Sequence, residues 1–263
     1  MKKLIASLAL IPILIWGIWI AIPKSFLQDR IEGAIDDSNF SIETEGLKKA
    51  FFYKVTIDRL TLNGYGKEHV SIEDIQAPIK FLSLIRFQFN ISFVGDIGGG
   101  TISGTIIRTM NKKTITMTFN DAHMNNLPFL HRAGIEGTGT LSGKLSMTSN
   151  TGHVEFVTND AQFQPVVFSD SIVPLNFFRS VRGALDIKDD VIYISSIALE
   201  GNDIYARLKG KIDNAFINLS MEIMPGKSFL DNQLFIGTLE EYKVSPGYYV
   251  IPIKRDIHSI TSS

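Results

Sequence analysis

The chain has 263 residues, with 26 Lys and Arg against 27 Asp and Glu, a formal net charge of −1, and no cysteine. This near-neutral balance gives no electrostatic footprint for nucleic acid, and a chain without cysteine can form neither disulfides nor thiolate metal sites. Hydrophobic residues make up 44% of the chain, and with no linker or low-complexity stretch the roughly 220 residues past the N-terminus suit a single all-β unit.

Lys2 and Lys3 precede Leu4–Ile22, a run of 19 residues without a charge. As a helix rising 1.5 Å per residue, such a run spans about 30 Å of hydrocarbon. It is either a cleavable signal or an anchor. A signal's apolar region is usually shorter, about 7–15 residues, and ends in a small-x-small site. Here there is no Ala-x-Ala before Pro23, and Trp16 and Trp19 stand near the end, where interfacial aromatics sit. The reading is an uncleaved transmembrane anchor over 1–23, with the two lysines cytoplasmic and the rest of the chain on the far side by the positive-inside rule.

Residues 24–40 follow as a juxtamembrane amphipathic helix. Phe26, Leu27, Arg30, Ile31, Ala34 and Ile35 share one face, and Pro23 suits a first turn. Gly33 weakens this helix by up to about 1 kcal/mol. The helix either extends the anchor outward or plugs one end of the domain that follows, 41–263.

From Phe40 to Leu62 the pattern is extended, with Val55, Ile57, Leu60 and Leu62 apolar and a break at Asn63-Gly64-Tyr65-Gly66. Past residue 40 no stretch keeps an apolar period of 3.6 for three turns; Pro78–Phe87 comes nearest. A strand then places Phe87, Phe89, Ile91 and Phe93 on one face. The heptapeptide GTISGTI at Gly100 returns as GTLSGKL at Gly139. Each copy opens an antiparallel hairpin with one apolar face. In the first, Ile102 and Ile106 lead through a turn at Asn111, Lys112 and Lys113 to Ile115, Met117 and Phe119. In the second, Leu141, Leu145 and Met147 lead through a turn at Ser149–Gly152 to Val154 and Phe156. Two more hairpins turn at Asp189-Asp190 and Asp213-Asn214, the last carrying Ile217, Leu219, Met221 and Ile223 on its return.

The expected architecture is a mainly β protein, an N-terminal transmembrane helix followed by a curved antiparallel sheet of repeated hairpins, as a half-barrel or groove. Its apolar face needs cover, since each fully buried Leu, Ile or Phe is worth about 1.5–3 kcal/mol relative to exposure. A sheet that curls on itself, a second sheet and an apolar ligand all supply it. The 17 apolar residues named on Phe87–Phe93, on the two repeat hairpins and at Ile217, Leu219 and Met221 are the candidate strip. The connection Asp160–Arg182, with Phe163, Phe168, Phe177 and Phe178, reads as packed over that face. Gly104, Gly143 and Gly210 inside strands mark bends or close backbone approach.

No catalytic constellation emerges. His69, His123, His131, His153 and His258 lack metal-ligand spacing. Gly95–Gly100 lacks the Gly-Lys-Ser/Thr of a phosphate loop and precedes a strand. Ser103 and Ser142 lie in strands, not on a strand-to-helix elbow, and the aspartate pairs suit two-residue turns. A non-enzymatic protein without cofactor or metal is expected.

Phe51-Phe52-Tyr53 leading into VTIDRLTLNG, the segment PIKFLSLIRFQFNISF, Gly98-Gly99-Gly100 with GTISG, the later GTGTLSG, and LEGNDIYARLKGKI follow the N-terminal anchor in an order that resembles type II secretion protein N (GspN), in its deltaproteobacterial form. The likeness covers most of 1–225, and the tail from Lys227 departs from it. It implies an inner-membrane, periplasm-facing component of the general secretion pathway, with other secretion proteins as partners and a sheet similar to AsmA-like lipid-conveying proteins. The alternative function is periplasmic lipid binding or transfer, with phospholipid in the apolar groove.

Overall fold

The computed structural model describes residues 16, 17, 19–33, 40–50, 53–64, 67–78, 89–109, 112–168, 171–173, 175–189, 191–213, 216–230, 237 and 239–256. Alternating apolar and polar side chains past residue 40 produce strands throughout. They are β1 (Phe40–Glu45), β2 (Lys48–Ala50), β3 (Lys54–Gly64), β4 (Lys67–Pro78), β5 (Phe89–Ile97), β6 (Gly100–Arg108), β7 (Lys113–His123), β8 (Gly137–Thr148) and β9 (Thr151–Phe163). After the small hairpin β10 (Val166–Phe168) and β11 (Ser171–Val173) come β12 (Phe178–Lys188), β13 (Val191–Gly201), β14 (Ile204–Ile212), β15 (Phe216–Pro225), β16 (Lys243–Ser245) and β17 (Tyr248–Asp256). All but β10 and β11 join one curved, unclosed sheet, antiparallel throughout, whose neighbours follow chain order almost without exception. The expected meander of hairpins is therefore present, and it stays open.

The two ends of the strands differ. At one end, here the turn end, β6–β7, β8–β9 and β12–β13 are joined by tight turns, the last two closing at the pairs Thr148↔Thr151 and Lys188↔Val191. At the other, the loop end, the long connections 124–136, 164–177 and 226–242 carry short helical turns: Met124–Asn126, Pro128–Arg132, Leu175–Phe177, Lys227–Leu230 and Glu240–Tyr242. These turns are too brief to show a helical period in the sequence, yet they supply the cover. Met124 and Leu127 pack on Ile97, Ile102, Ala122, Leu141, Ala161 and Phe163. Phe229 and Leu239 pack on Phe178, Leu199, Ile204, Ala206, Ile223 and Tyr249. The expected connection Asp160–Arg182 is shorter, because Phe163 ends β9 and Phe178 opens β12; both are buried, and the Phe177 ring of the connection meets Phe229 edge-on at 4.7 Å.

Strand pairing runs further than composition suggests at two turns. Gly152 is a buried strand residue, because the turn closes earlier at 149–150, and Lys113 opens β7 opposite Arg108. The Asp213 turn stands where expected, between Ile212 and Phe216: the Asp213 N–H donates to the Phe216 carbonyl at 3.0 Å and its carboxylate accepts the Phe216 N–H at 2.8 Å.

The N-terminal segment packs on the apolar face of the first strands. Helix Lys24–Glu32 ends at Gly33, short of the expected residue 40, and turns Leu27 and Ile31 into a cluster with Val55, Ile57 and Ile75. Phe26, placed on the packed face by periodicity, is instead 48% exposed. Glu32 ties the helix to β1 by accepting the Thr44 hydroxyl at 2.7 Å and its N–H at 3.1 Å. Trp19 is 5% exposed and belongs to the same cluster, so its ring packs against protein. Among the described residues no helix is long and apolar enough to cross a membrane. Most of the uncharged run, 4–15 and 18, lies outside them, as does the near-helical stretch at 79–87.

Candidate functional site: an open apolar strip

Pairing register stacks the apolar side chains into rows that cross the sheet. One row runs Ile91, Ile106, Ile115, Met147, Gly152, Ile187, Ile192, Ile212, Ile217. The next runs Phe93, Gly104, Met117, Leu145, Val154, Leu185, Ile194, Gly210, Leu219, Ile253, and the third Gly95, Ile102, Phe119, Gly143, Phe156, Gly183, Ile197, Leu208, Met221, Ile251. Strands lie about 4.8 Å apart, so ten of them make a strip roughly 45 Å across and three side chains wide.

From β5 onwards burial falls from the loop end to the turn end, whereas on β3 and β4 the turn-end residues Val55, Ile57, Ile75 and Ala77 are the buried ones. Ile102, Leu141 and Met221 are buried beneath the connections. Ile91, Phe93, Ile106, Ile115, Met117, Phe119, Leu145, Met147, Val154, Phe156, Ile217 and Leu219 are each only half-buried. Phe87 and the side chain of Phe89 lie outside the described residues. Leu185, Ile187, Ile192, Ile212 and Ile253 extend the strip beyond the sequence-derived candidates. The signal of the first four was present in the same alternation, within hairpins recognised as such but not joined to the strip, whereas Ile253 lies on β17, in the tail that was given no strand.

Glycines let the aromatic rings fold across onto neighbouring strands. A Cβ on Gly104 would lie 2.6 Å from the Phe93 ring, one on Gly143 2.7 Å from the Phe119 ring, and one on Gly183 2.7 Å from the Phe156 ring. The device recurs at three successive strand pairs, and Gly104 and Gly143 are the second glycines of the repeated heptapeptide. The first glycines answer a different need. A Cβ on Gly100 would strike backbone at Asn120–Ala122, and one on Gly139 backbone at Asn159–Ala161. There Asp121 and Asp160 sit at φ 55° and 51° as bulges in their strands. Such bulges increase local twist and bend the sheet. Sequence reading missed this second repeat, Asn-Asp-Ala at 120–122 and 159–161, whose 39-residue offset equals that of the heptapeptide.

Charge lies on the opposite face. The Lys209 ammonium contacts the Glu222 carboxylate and holds its pKa below the ordinary value, against the burial that raises it. His153 donates toward Asp186 at 2.7 Å and lies 3.4 Å from Glu155, and both carboxylates raise its pKa, Asp186 the more. His69 contacts Arg132, and His131 reaches the Asn125 carbonyl at 2.9 Å. Among the described residues no group of three or more His, Asp or Glu is placed to hold a metal. Where Gly210 breaks the regular pleat at φ 139°, a shallow recess of about 540 Å³ joins Ile194 and Leu219 of the strip to Lys209, Asn218 and Lys254.

No family model, no curated protein and no solved structure matches this chain. The likeness to type II secretion protein N rests on the quoted segments alone.

Proposed function

We propose that the protein is a membrane-anchored, periplasm-facing carrier that shelters lipid acyl chains along its apolar strip. What supports this reading is a dozen apolar side chains in continuous rows, each left partly accessible, on a sheet that does not close. An exposed apolar surface that large marks a binding face. The rows offer no charge and few polar groups along their length, which suits a hydrocarbon chain. Met117, Met147 and Leu145 supply adaptable contacts, since unbranched thioethers fit varied shapes. Rings folded onto Gly104, Gly143 and Gly183 lower the profile of the floor. The function is binding and conveyance, with no catalytic step.

The test is mass spectrometry of the full chain extracted in mild detergent. Co-purified phospholipid is expected, and Leu145→Asp should lower its yield more than it lowers stability, because an unpaired carboxylate on the strip repels hydrocarbon. A folded wild-type chain without lipid, and unable to take it up from vesicles, would overturn the reading. The resemblance carries a second proposal, a non-enzymatic component of type II secretion in the inner membrane. Adjacency to secretion ATPase and secretin genes would favour it, and adjacency to lipid-transport genes the carrier.

A further inference from the structure

We infer that the turn end of the sheet sits in the headgroup layer of the bilayer, held there by a clamp between Trp19 and Lys49. This rests on the anchor reading of Leu4–Ile22 and concerns how the bilayer meets the strip. The Lys49 ammonium donates to the carbonyls of Trp19 at 2.7 Å, Ile20 at 3.0 Å and Ile22 at 2.6 Å. Those three bonds use all its protons. It also lies 5.3 Å from the centre of the Trp19 ring, whose indole N–H donates to the Ala50 carbonyl at 3.2 Å. Tyr53 meets the same ring at 5.5 Å. The uncharged run therefore does not leave the membrane through a free stalk: its last residues are fixed to β2 and the start of β3.

The clamp shortens the span. An ammonium in the hydrocarbon is costly, so the level of Lys49 and the carbonyls it binds must lie at or beyond the hydrocarbon boundary. Only Leu4–Ile18 then remains to cross. Those 15 residues reach roughly 22 Å as a helix, against a hydrocarbon core of about 30 Å. A short span is met by thinning the bilayer and by snorkelling of the flanking lysines, and both draw the domain downward. Side chains beside the clamp suit that depth. Trp16, Ile20 and Phe26 are 43%, 56% and 48% exposed; Lys48 shares β2 with Lys49 and pairs with Asp58, Lys54 lies opposite Ala50, and Lys24 follows the bound Ile22 by two residues. Apolar groups with a basic rim match an anionic phospholipid surface. Lys54 opens β3 opposite Pro78 of β4, at the turn end; the N-terminal segment buries Val55, Ile57 and Ile75 there, and from β5 onwards the same end of the strands is the less covered one. The strip therefore opens toward the headgroups.

A chain without cysteine allows single labels. In vesicles of phosphatidylethanolamine and phosphatidylglycerol, nitroxides would be placed on full-length Ile20→Cys, Phe26→Cys and Val244→Cys, the last at the loop end and 64% exposed. Collisions with oxygen and with a water-soluble nickel chelate report depth. Labels at Ile20 and Phe26 are expected to lose chelate access relative to Val244, and adding Lys49→Met should restore it at Phe26. Chelate access at Phe26 equal to that at Val244 would overturn the inference, and unchanged depth in a folded Lys49→Met chain would remove the clamp from it. Lipid retention distinguishes the two proposals. A domain seated at this depth but empty of lipid overturns the carrier reading alone, and a lipid-loaded domain with Phe26 in water overturns this one alone.

Discussion

Leu141 and Leu145 lie four residues apart on β8 and face the same way, yet Leu141 is buried against Ala122 and Ala161 while Leu145 is only partly buried in its row. The difference comes from what crosses the two ends of the sheet. Long connections with short helical turns cover the loop end; tight turns leave the turn end uncovered. From β5 onwards burial is thus concentrated at one end of the strands, and the other end keeps a partly accessible apolar surface, the surface the proposed carrier role requires. A sheet covered along its whole length would be more stable and would have nothing to offer hydrocarbon.

The sharpest way to break this comparison is to truncate both leucines. Leu141→Ala should cost about 3 kcal/mol, within the range for buried Leu, and Leu145→Ala less, about 2 kcal/mol, since part of that side chain already meets water. Urea unfolding with an unchanged m-value measures both. Equal losses would show that the turn end is as well packed as the loop end, and would remove the basis for an open strip.

Glycine substitutions sharpen it next. Gly143→Ala places a Cβ 2.5 Å from the Glu155 carbonyl oxygen and 2.7 Å from the Phe119 ring. Backbone cannot yield as a side chain does, so a cost of about 2 kcal/mol is expected, along with a raised ring and weaker lipid retention. Gly152→Ala, on the partner strand, meets only Met147 at 3.0 Å and Ile187 at 3.4 Å. Met147 is flexible, and that change should stay under about 1 kcal/mol. Thermal melts of the two variants provide the check.

The first strands have their own cover in helix Lys24–Glu32, and Glu32 reports on its hold. The Thr44 hydroxyl is the main cause of a pKa lowered from 4.5, with Gln28 and the Thr44 N–H adding and burial opposing. A depressed folded pKa means that this contribution is fully present above the unfolded value and is lost as pH falls through the folded one. Thr44→Val should cost about 1 kcal/mol at neutral pH and much less in acid, below the folded pKa of Glu32. A cost independent of pH between 3 and 7 would show that the Glu32 contact does not hold the helix.

Much of this architecture was legible in the sequence and some was not, for physical reasons. Alternation at Ile102–Ile106, Ile115–Phe119 and Leu141–Met147 specified strands and face, because slipping a strand by one residue would expose its whole apolar set. The heptapeptide announced a repeat, but its meaning needed the neighbours: one glycine yields to a ring across the strand, the other to a bulge at Asp121 or Asp160. Cover at the loop end was illegible because Met124–Asn126 and Lys227–Leu230 are single turns, too short for any period. The packing of Trp19 was illegible because an apolar run looks the same whether its end meets lipid or protein. Only the partner, Lys49, tells them apart, and it lies 30 residues away.

The smallest effect concerns the polar side of the turn end, where no apolar cover contributes and exposed ion pairs cross the strands. His153 on β9 sits between Asp186 on β12 and Glu155, with 45% of its side chain exposed. The bond to Asp186 comes first among the causes that raise its pKa above 6.5, followed by the one to Glu155, against slight desolvation. A raised folded pKa makes the sign opposite to that of Glu32: the contribution is full below the unfolded value and disappears as pH rises through the folded one. Solvent screening at this exposure limits it to a few tenths of a kcal/mol. Titration followed by NMR of the imidazole should give a midpoint above 6.5 that moves down in Asp186→Asn, with little change in the urea midpoint at pH 8. An unshifted His153 midpoint in that variant would show that the β9–β12 pair is held by its backbone ladder alone. The turn end would then gain nothing from charge on either face.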